Sequence, residues 1–109
     1  MPTWLQRVRD RLAERATGSV SINEIARAEG VTPVSLAKAF RRAYGISAST
    51  FVRRIRVNHA RVLLEERSNQ LVDVALSAGF VDQAHFTRAF KRESALTPGQ
   101  YRRLLHSRP

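Results

Sequence analysis

Apolar positions recur along this chain at three- and four-residue spacing, and glycines or Thr-Pro steps interrupt the pattern. The reading is helical throughout. Leu5, Val8 and Leu12, with Trp4 beside them, predict a first helix from about Pro2 to Ala16, broken by Thr17, Gly18 and Ser19. Ser21-Ile22-Asn23-Glu24 matches a capping box. It opens a second helix with Ile22, Ile25 and Ala26 inward and Gly30 at its end. Thr32-Pro33 is N-cap and first position of a third, which buries Leu36, Ala39 and Phe40 and stops at Gly45. Ser47 or Ser49 opens a fourth that runs without glycine or proline to about Glu66, about 27 Å. Its stripe shifts: Phe51, Val52, Ile55, Val62 and Leu63 mark one face, Val57, Ala60 and Leu64 another. Its two ends are therefore expected to meet different partners. Val74, Ala75 and Ala78 mark a fifth helix ended by Gly79. Asp82 caps a sixth, Gln83 to Glu93, with Phe86, Ala89 and Phe90 inward. Thr97-Pro98 starts a seventh with Tyr101, Leu104 and Leu105 at helical spacing, before a frayed tail over 106–109.

The chain repeats itself. Ile25, Ala26 and Gly30 match Val74, Ala75 and Gly79, and after one extra turn residue Leu36 matches Phe86 and Lys38 matches Arg88. Ala39-Phe40-Arg41-Arg42 then matches Ala89-Phe90-Lys91-Arg92, Ile46-Ser47 matches Leu96-Thr97, and Phe51 matches Tyr101. Each copy is a short helix, a tight turn and a basic helix, which is the helix-turn-helix pattern. Two copies are too few for a solenoid. The expected division is a lead-in helix over 1–20, a first helix-turn-helix over 21–48, a linker helix over 49–67, a second helix-turn-helix with its C-terminal helix over 68–105, and the tail.

Charge narrows the class. Nineteen Lys and Arg against nine Asp and Glu give a net charge of +10 in 109 residues, which favours a polyanion partner: nucleic acid first, an anionic membrane second. With 17 Arg to 2 Lys, the bias reads as genomic composition as much as mechanism. No cysteine is present, so there is no disulfide framework, thiolate metal site or cysteine nucleophile. His59, His85 and His106 show no ligand spacing, and no Walker loop or nucleophile elbow occurs, so neither a metal, a cofactor nor an enzyme is expected. No apolar stretch approaches a membrane span, and a cytoplasmic protein is expected.

The second basic helix exposes Gln83, Ala84, His85, Thr87 and Arg88 near its N-terminal half while Phe86 and Phe90 anchor it, as a major-groove reader must. Arg88 suits guanine O6/N7 and Gln83 suits adenine, while for His85 contact with base or phosphate and simple packing are about evenly matched. In the first copy Val34 and Ala37 offer thymine-methyl contacts, and Ser35 and Lys38 offer donors. Arg41, Arg42, Lys91 and Arg92 lie further along and suit phosphate, as do Arg53, Arg54 and Arg102. The helix N-termini at Thr32 and Thr97 present amides to phosphate, and that at Asp82 does so against its own charge.

Ile25-Ala26 with Gly30, the Leu36 to Arg41 run, Gly45, RVNHARVLL from Arg56 to Leu64 and GFVDQAHFTRAFKRESALTPGQYRR from Gly79 to Arg103 resemble the DNA-binding domain of AraC/XylS-type bacterial transcription regulators. The likeness covers about Ser21 to Arg103. It implies an all-α, seven-helix fold with two helix-turn-helix subdomains on one long linker helix. It also implies sequence-specific binding of double-stranded DNA, with two recognition helices in successive major-groove segments, and contact with RNA polymerase. Val81 and Ala84 stand where such proteins often carry polar residues. The helix before Ser21 looks like the continuation of an interdomain linker, so a fragment is favoured over a free-standing regulator, with an effector-binding and dimerisation domain preceding it. The competing classes are a basic helical protein-interaction module and a non-specific nucleic-acid or RNA binder.

Overall fold

Seven helices hold 76 of the 107 described residues: α1 (Thr3–Arg15), α2 (Ile22–Ala28), α3 (Pro33–Tyr44), α4 (Ala48–Leu64), α5 (Leu71–Ser77), α6 (Gln83–Ser94) and α7 (Pro98–Leu105). They come from a computed structural model that describes residues 1–107, so positions 108 and 109 of the expected tail lie outside the described residues.

Local chemistry sets most boundaries. The side chains of Ser21, Thr32, Ser47, Asp82 and Thr97 each accept a bond from the amide three residues on, satisfying a donor that the helix itself leaves free. The capping box expected at Ser21 is only half made: Glu24 donates its amide to Ser21 Oγ at 3.2 Å, but its exposed side chain makes no return bond. The complete box is at Thr97, where Gln100 Oε1 accepts the Thr97 amide at 2.9 Å and Thr97 Oγ1 accepts that of Gln100 at 3.1 Å. Helices α2 and α5 end in the same way. Gly30 and Gly79 turn left-handed, and the amides of Val31 and Phe80 reach back to Ala26 O and Ala75 O, both at 3.0 Å. That is a Schellman closure, twice.

The third repeated stop breaks the rule. Gly45 ends α3 at φ 78°, and the matching residue after α6 is Ala95, at φ 66°. A Cβ in the left-handed region costs about 1–2 kcal/mol. Ala95→Gly is therefore expected to stabilise the protein by about 0.5–1 kcal/mol, part of the relief being lost to the freer unfolded chain. A urea midpoint that stays put or falls would show that the turn carries no strain.

The core is split in two. Leu5, Val8, Leu12 and Ala16 of the α1 segment pack with Ile25, Ala26, Leu36 and Phe40, and with Ala48 and Val52 from the start of α4. Val57, Ala60 and Leu64 from the end of α4 pack with Val74, Ala75, Ala78, Phe80, Phe86 and Phe90. The shifting stripe of α4 thus serves two cores in succession, with Phe51 and Ile55 half-buried on the first and Leu63 on the second. Val62, placed on that stripe by spacing alone, points to solvent. Leu104 and Leu105 are also exposed, and α7 is held instead by Pro98 and the half-buried Tyr101. α1 packs into the first core. Its Leu5, Val8 and Leu12 hold the three- and four-residue spacing of Val57, Ala60 and Leu64 in α4. The body is elongated, 52 × 23 × 19 Å. Among the described residues no helix is long and apolar enough to cross a membrane.

Candidate nucleic-acid interface

Helices α3 and α6 each follow a Schellman turn and are pinned by aromatic or aliphatic side chains on their inner face. Leu36 and Phe40 fix α3, and Phe86 and Phe90 fix α6, all without exposed area. What faces outward is therefore set by the 3.6-residue period. On α3 these are Val34, Ser35, Ala37, Lys38, Arg41 and Arg42, all exposed. On α6 they are Gln83, Ala84, His85, Arg88, Lys91 and Arg92, while Thr87 is half-buried. The first face is smaller and more apolar, with Val34 63% exposed. Ser35 has its hydroxyl engaged by Thr32 Oγ1 at 2.9 Å, and Thr32 itself is the cap of α3. The start of α6 carries a negative charge, since Asp82 caps the His85 amide at 2.8 Å and lies 3.7 Å from the His85 ring nitrogen.

The arginines expected at phosphate fall into two groups. Arg41, Arg42 and Arg92, with Lys91, are exposed and form no ion pair among the described residues. Arg53 and Arg54 share one carboxylate, Glu93, at 2.9 and 3.3 Å. Burial pushes the Glu93 carboxyl up, but the hydrogen bonds from Arg53 and Arg54 outweigh it and hold it below the ordinary glutamate value. That pairing ties α6 to α4 and reduces the positive charge either arginine offers outward. Arg102, expected at phosphate, is turned inward. Its Nε donates to Leu64 O at 3.2 Å, covering a carbonyl that the end of α4 leaves free, and its guanidinium to Glu66 O at 3.3 Å, which also accepts the Asn69 amide. Thr97 is committed to its capping box.

Sequence spacing gave no sign of Glu93 as a counter-charge or of Arg56 as a contact between the two halves. Both partners lie about 40 residues away. Between the halves is an open cleft of about 490 Å³, lined among others by Val20, Ser49, Arg53, Arg56, His85 and Ala89. Among the described residues no group of three His, Cys, Asp or Glu side chains is placed to hold a metal ion. The arrangement presents two exposed helices, basic toward their C-terminal ends, on one elongated body.

A family model for the helix-turn-helix domain matches residues 25–104. The HTH-type transcriptional regulator MtrA of Neisseria gonorrhoeae is 35% identical over 83 residues, covering 76% of this chain and 28% of that protein. The chain spans between 23% and 35% of the length of the curated relatives it matches. The C-terminal domain of AraT, a response regulator from Geobacillus stearothermophilus, superposes with a TM-score of 0.85 at 26% identity, over 94% of this chain and 86% of that one. The DNA-binding domain of the global transcriptional factor AdpA, in complex with a target DNA, has a TM-score of 0.82 at 21% identity, over 96% of this chain and 97% of that one. That identity is low enough to speak for the fold alone.

Proposed function

The chain belongs to the AraC/XylS-type helix-turn-helix family of bacterial transcription regulators, and we propose that it binds specific double-stranded DNA sites by laying α3 and α6 into successive major-groove segments on one face of the duplex. The observation that carries this is the pair of matched open helix faces, each backed by buried aromatic or aliphatic side chains, on one elongated body. Successive major-groove segments lie about 34 Å apart, which a body 52 Å long can span. If both helices are held rigidly, the duplex bends to meet them at a cost of about 1–6 kcal/mol.

The two helices divide the work. Arg88 and Gln83 of α6 are the base readers by hydrogen bonding, with Ala84, His85 and Thr87 beside them. Val34 and Ala37 of α3 read thymine methyls, with Ser35 and Lys38 as donors, so the first half-site is read partly through shape. Arg41, Arg42, Lys91 and Arg92 neutralise phosphates, and the amides that the caps Thr32 and Thr97 leave unbonded at the starts of α3 and α7 add to them. Arg53 and Arg54 reach the backbone only with their Glu93 partner in attendance. Arg102, half-buried against the Leu64 and Glu66 carbonyls, has only its remaining donors to offer phosphate. No reaction and no cofactor is assigned to the chain. It acts in the cytoplasm, with RNA polymerase as a further partner and an effector-binding, dimerising domain N-terminal to it in the whole regulator.

The test is competition of a labelled duplex, selected from a random pool, against bulk duplex and against RNA at two salt concentrations. Selective loss to the cognate duplex is expected; equal competition by all three sinks the sequence-specific reading in favour of a non-specific binder. No binding at all would favour the protein-interaction module. Within the same assay Arg92→Ala is expected to weaken every duplex alike and to flatten the salt dependence by about one unit of slope. A change in base preference in that variant would contradict its assignment to phosphate.

A further inference from the structure

We propose that Arg56 is a positioning residue, a strut that fixes the second helix-turn-helix unit in one orientation to the first and so sets which spacing of two half-sites the protein accepts. The spacing part rests on the DNA-binding function proposed above; the strut itself does not. Arg56 stands where α4 passes from one core to the other, between Ile55 on the first and the buried Val57 of the second. Its Nε donates to Ala16 O at 2.6 Å. Ala16 caps the C-terminus of α1, where carbonyls lack helical partners and the helix dipole is negative. The same guanidinium lies 5.9 Å from the ring centroid of Phe80, which belongs to the second core. One side chain thus grips both units away from the α4 axis.

The backbone closes the same seam. At Gly79 an added Cβ would lie 2.7 Å from Ala16 O and 2.9 Å from Thr17 backbone atoms, so the α5–α6 turn rests directly on the end of α1. Burial pulls the Arg56 guanidinium below the ordinary arginine value, while the carbonyl and the ring replace part of its lost hydration. A charge held this way has few alternative positions, whereas a methionine would keep the packing of the stem and lose the N–H donor and the charge.

The chain has no cysteine, so Ala28→Cys and Ser77→Cys, one exposed site on each unit, take a pair of spin labels cleanly. Pulsed dipolar spectroscopy without DNA is expected to give one narrow distance distribution in the labelled parent. Arg56→Met and Gly79→Ala are each expected to broaden it while leaving helix content by circular dichroism intact. On duplexes whose half-sites are shifted by one or two base pairs, the parent should lose about tenfold or more in affinity and both variants about threefold or less. Binding to a single half-site should be unchanged. A distribution in Arg56→Met as narrow as the parent's overturns the strut, as does loss of helices in that variant; loss of helices in Gly79→Ala would report the left-handed turn at Gly79 and leaves the decision to Arg56→Met. A reduced salt slope with an unaltered spacing profile would make Arg56 a phosphate contact instead. A narrow parent with no spacing preference would sink the two-half-site reading and leave the strut standing.

Discussion

Phe90→Ala is expected to lower the stability of the protein by about 3–5 kcal/mol. Phe90 has no exposed area. Its ring stands edge-on to Phe86, 5.7 Å away between centroids, and to Tyr101, 5.3 Å away. The Arg61 guanidinium lies 6.0 Å from the same ring. Removing it leaves a void among rings that rest on α4, α6 and α7, and no one of them can close it without leaving another contact. Domains of this size have about 5–15 kcal/mol to lose, so the variant would forfeit about a fifth or more of its stability. The measurement is urea unfolding of parent and variant at equal slope. A midpoint equal to the parent's would refute the core placement. The same loss is expected nowhere on the outward face of α6, which is why stability and DNA affinity can be separated by mutation along a single helix.

Such a prediction could be made from sequence because Phe86, Ala89 and Phe90 fix the buried side of α6 by spacing alone. The helix starts were legible for the same reason. Thr32, Asp82 and Thr97 act within three residues of themselves, and short-range chemistry is written in short-range sequence. Gly30 and Gly79 announced their turns through backbone freedom. Side chains that reach across the fold gave no such signal. Arg53 with Glu93, Arg56 with Ala16 O and Arg102 with Leu64 O join residues 38 to 40 positions apart. On a basic chain each of those arginines looked like any other cation. Val62 shows a different limit. Periodicity places a residue near the edge of a stripe without saying on which side of the edge it falls. The membership of α1 in the first core was readable in principle, from the shared spacing of Leu5, Val8 and Leu12 with Val57, Ala60 and Leu64. Ala95 is legible as a strained position only through its match to Gly45 across the repeat.

Arg88→Ala is expected to cost about 1–3 kcal/mol on the preferred site and to relax discrimination at one base position. Arg88 is exposed on α6 and, among the described residues, makes no salt bridge. The acids flanking it in sequence are already engaged: Asp82 caps the His85 amide, and Glu93 holds Arg53 and Arg54. Its planar fork of donors is therefore free to meet guanine O6 and N7 together, a geometry an ammonium cannot reproduce. Arg88→Lys separates the two roles a cation can play here. If Arg88 reads a base, lysine restores part of the affinity but little of the discrimination; if it only neutralises a phosphate, lysine restores nearly everything. The measurement is affinity across a set of duplexes carrying every single-base change in the selected site, at fixed salt because phosphate contacts dominate the total. Unchanged discrimination at every position in Arg88→Ala would move the reading function of α6 onto Gln83 and its neighbours. A loss confined to one base pair would fix the register of α6 in its groove, and the position of α3 on the duplex would then follow from the geometry of the two units.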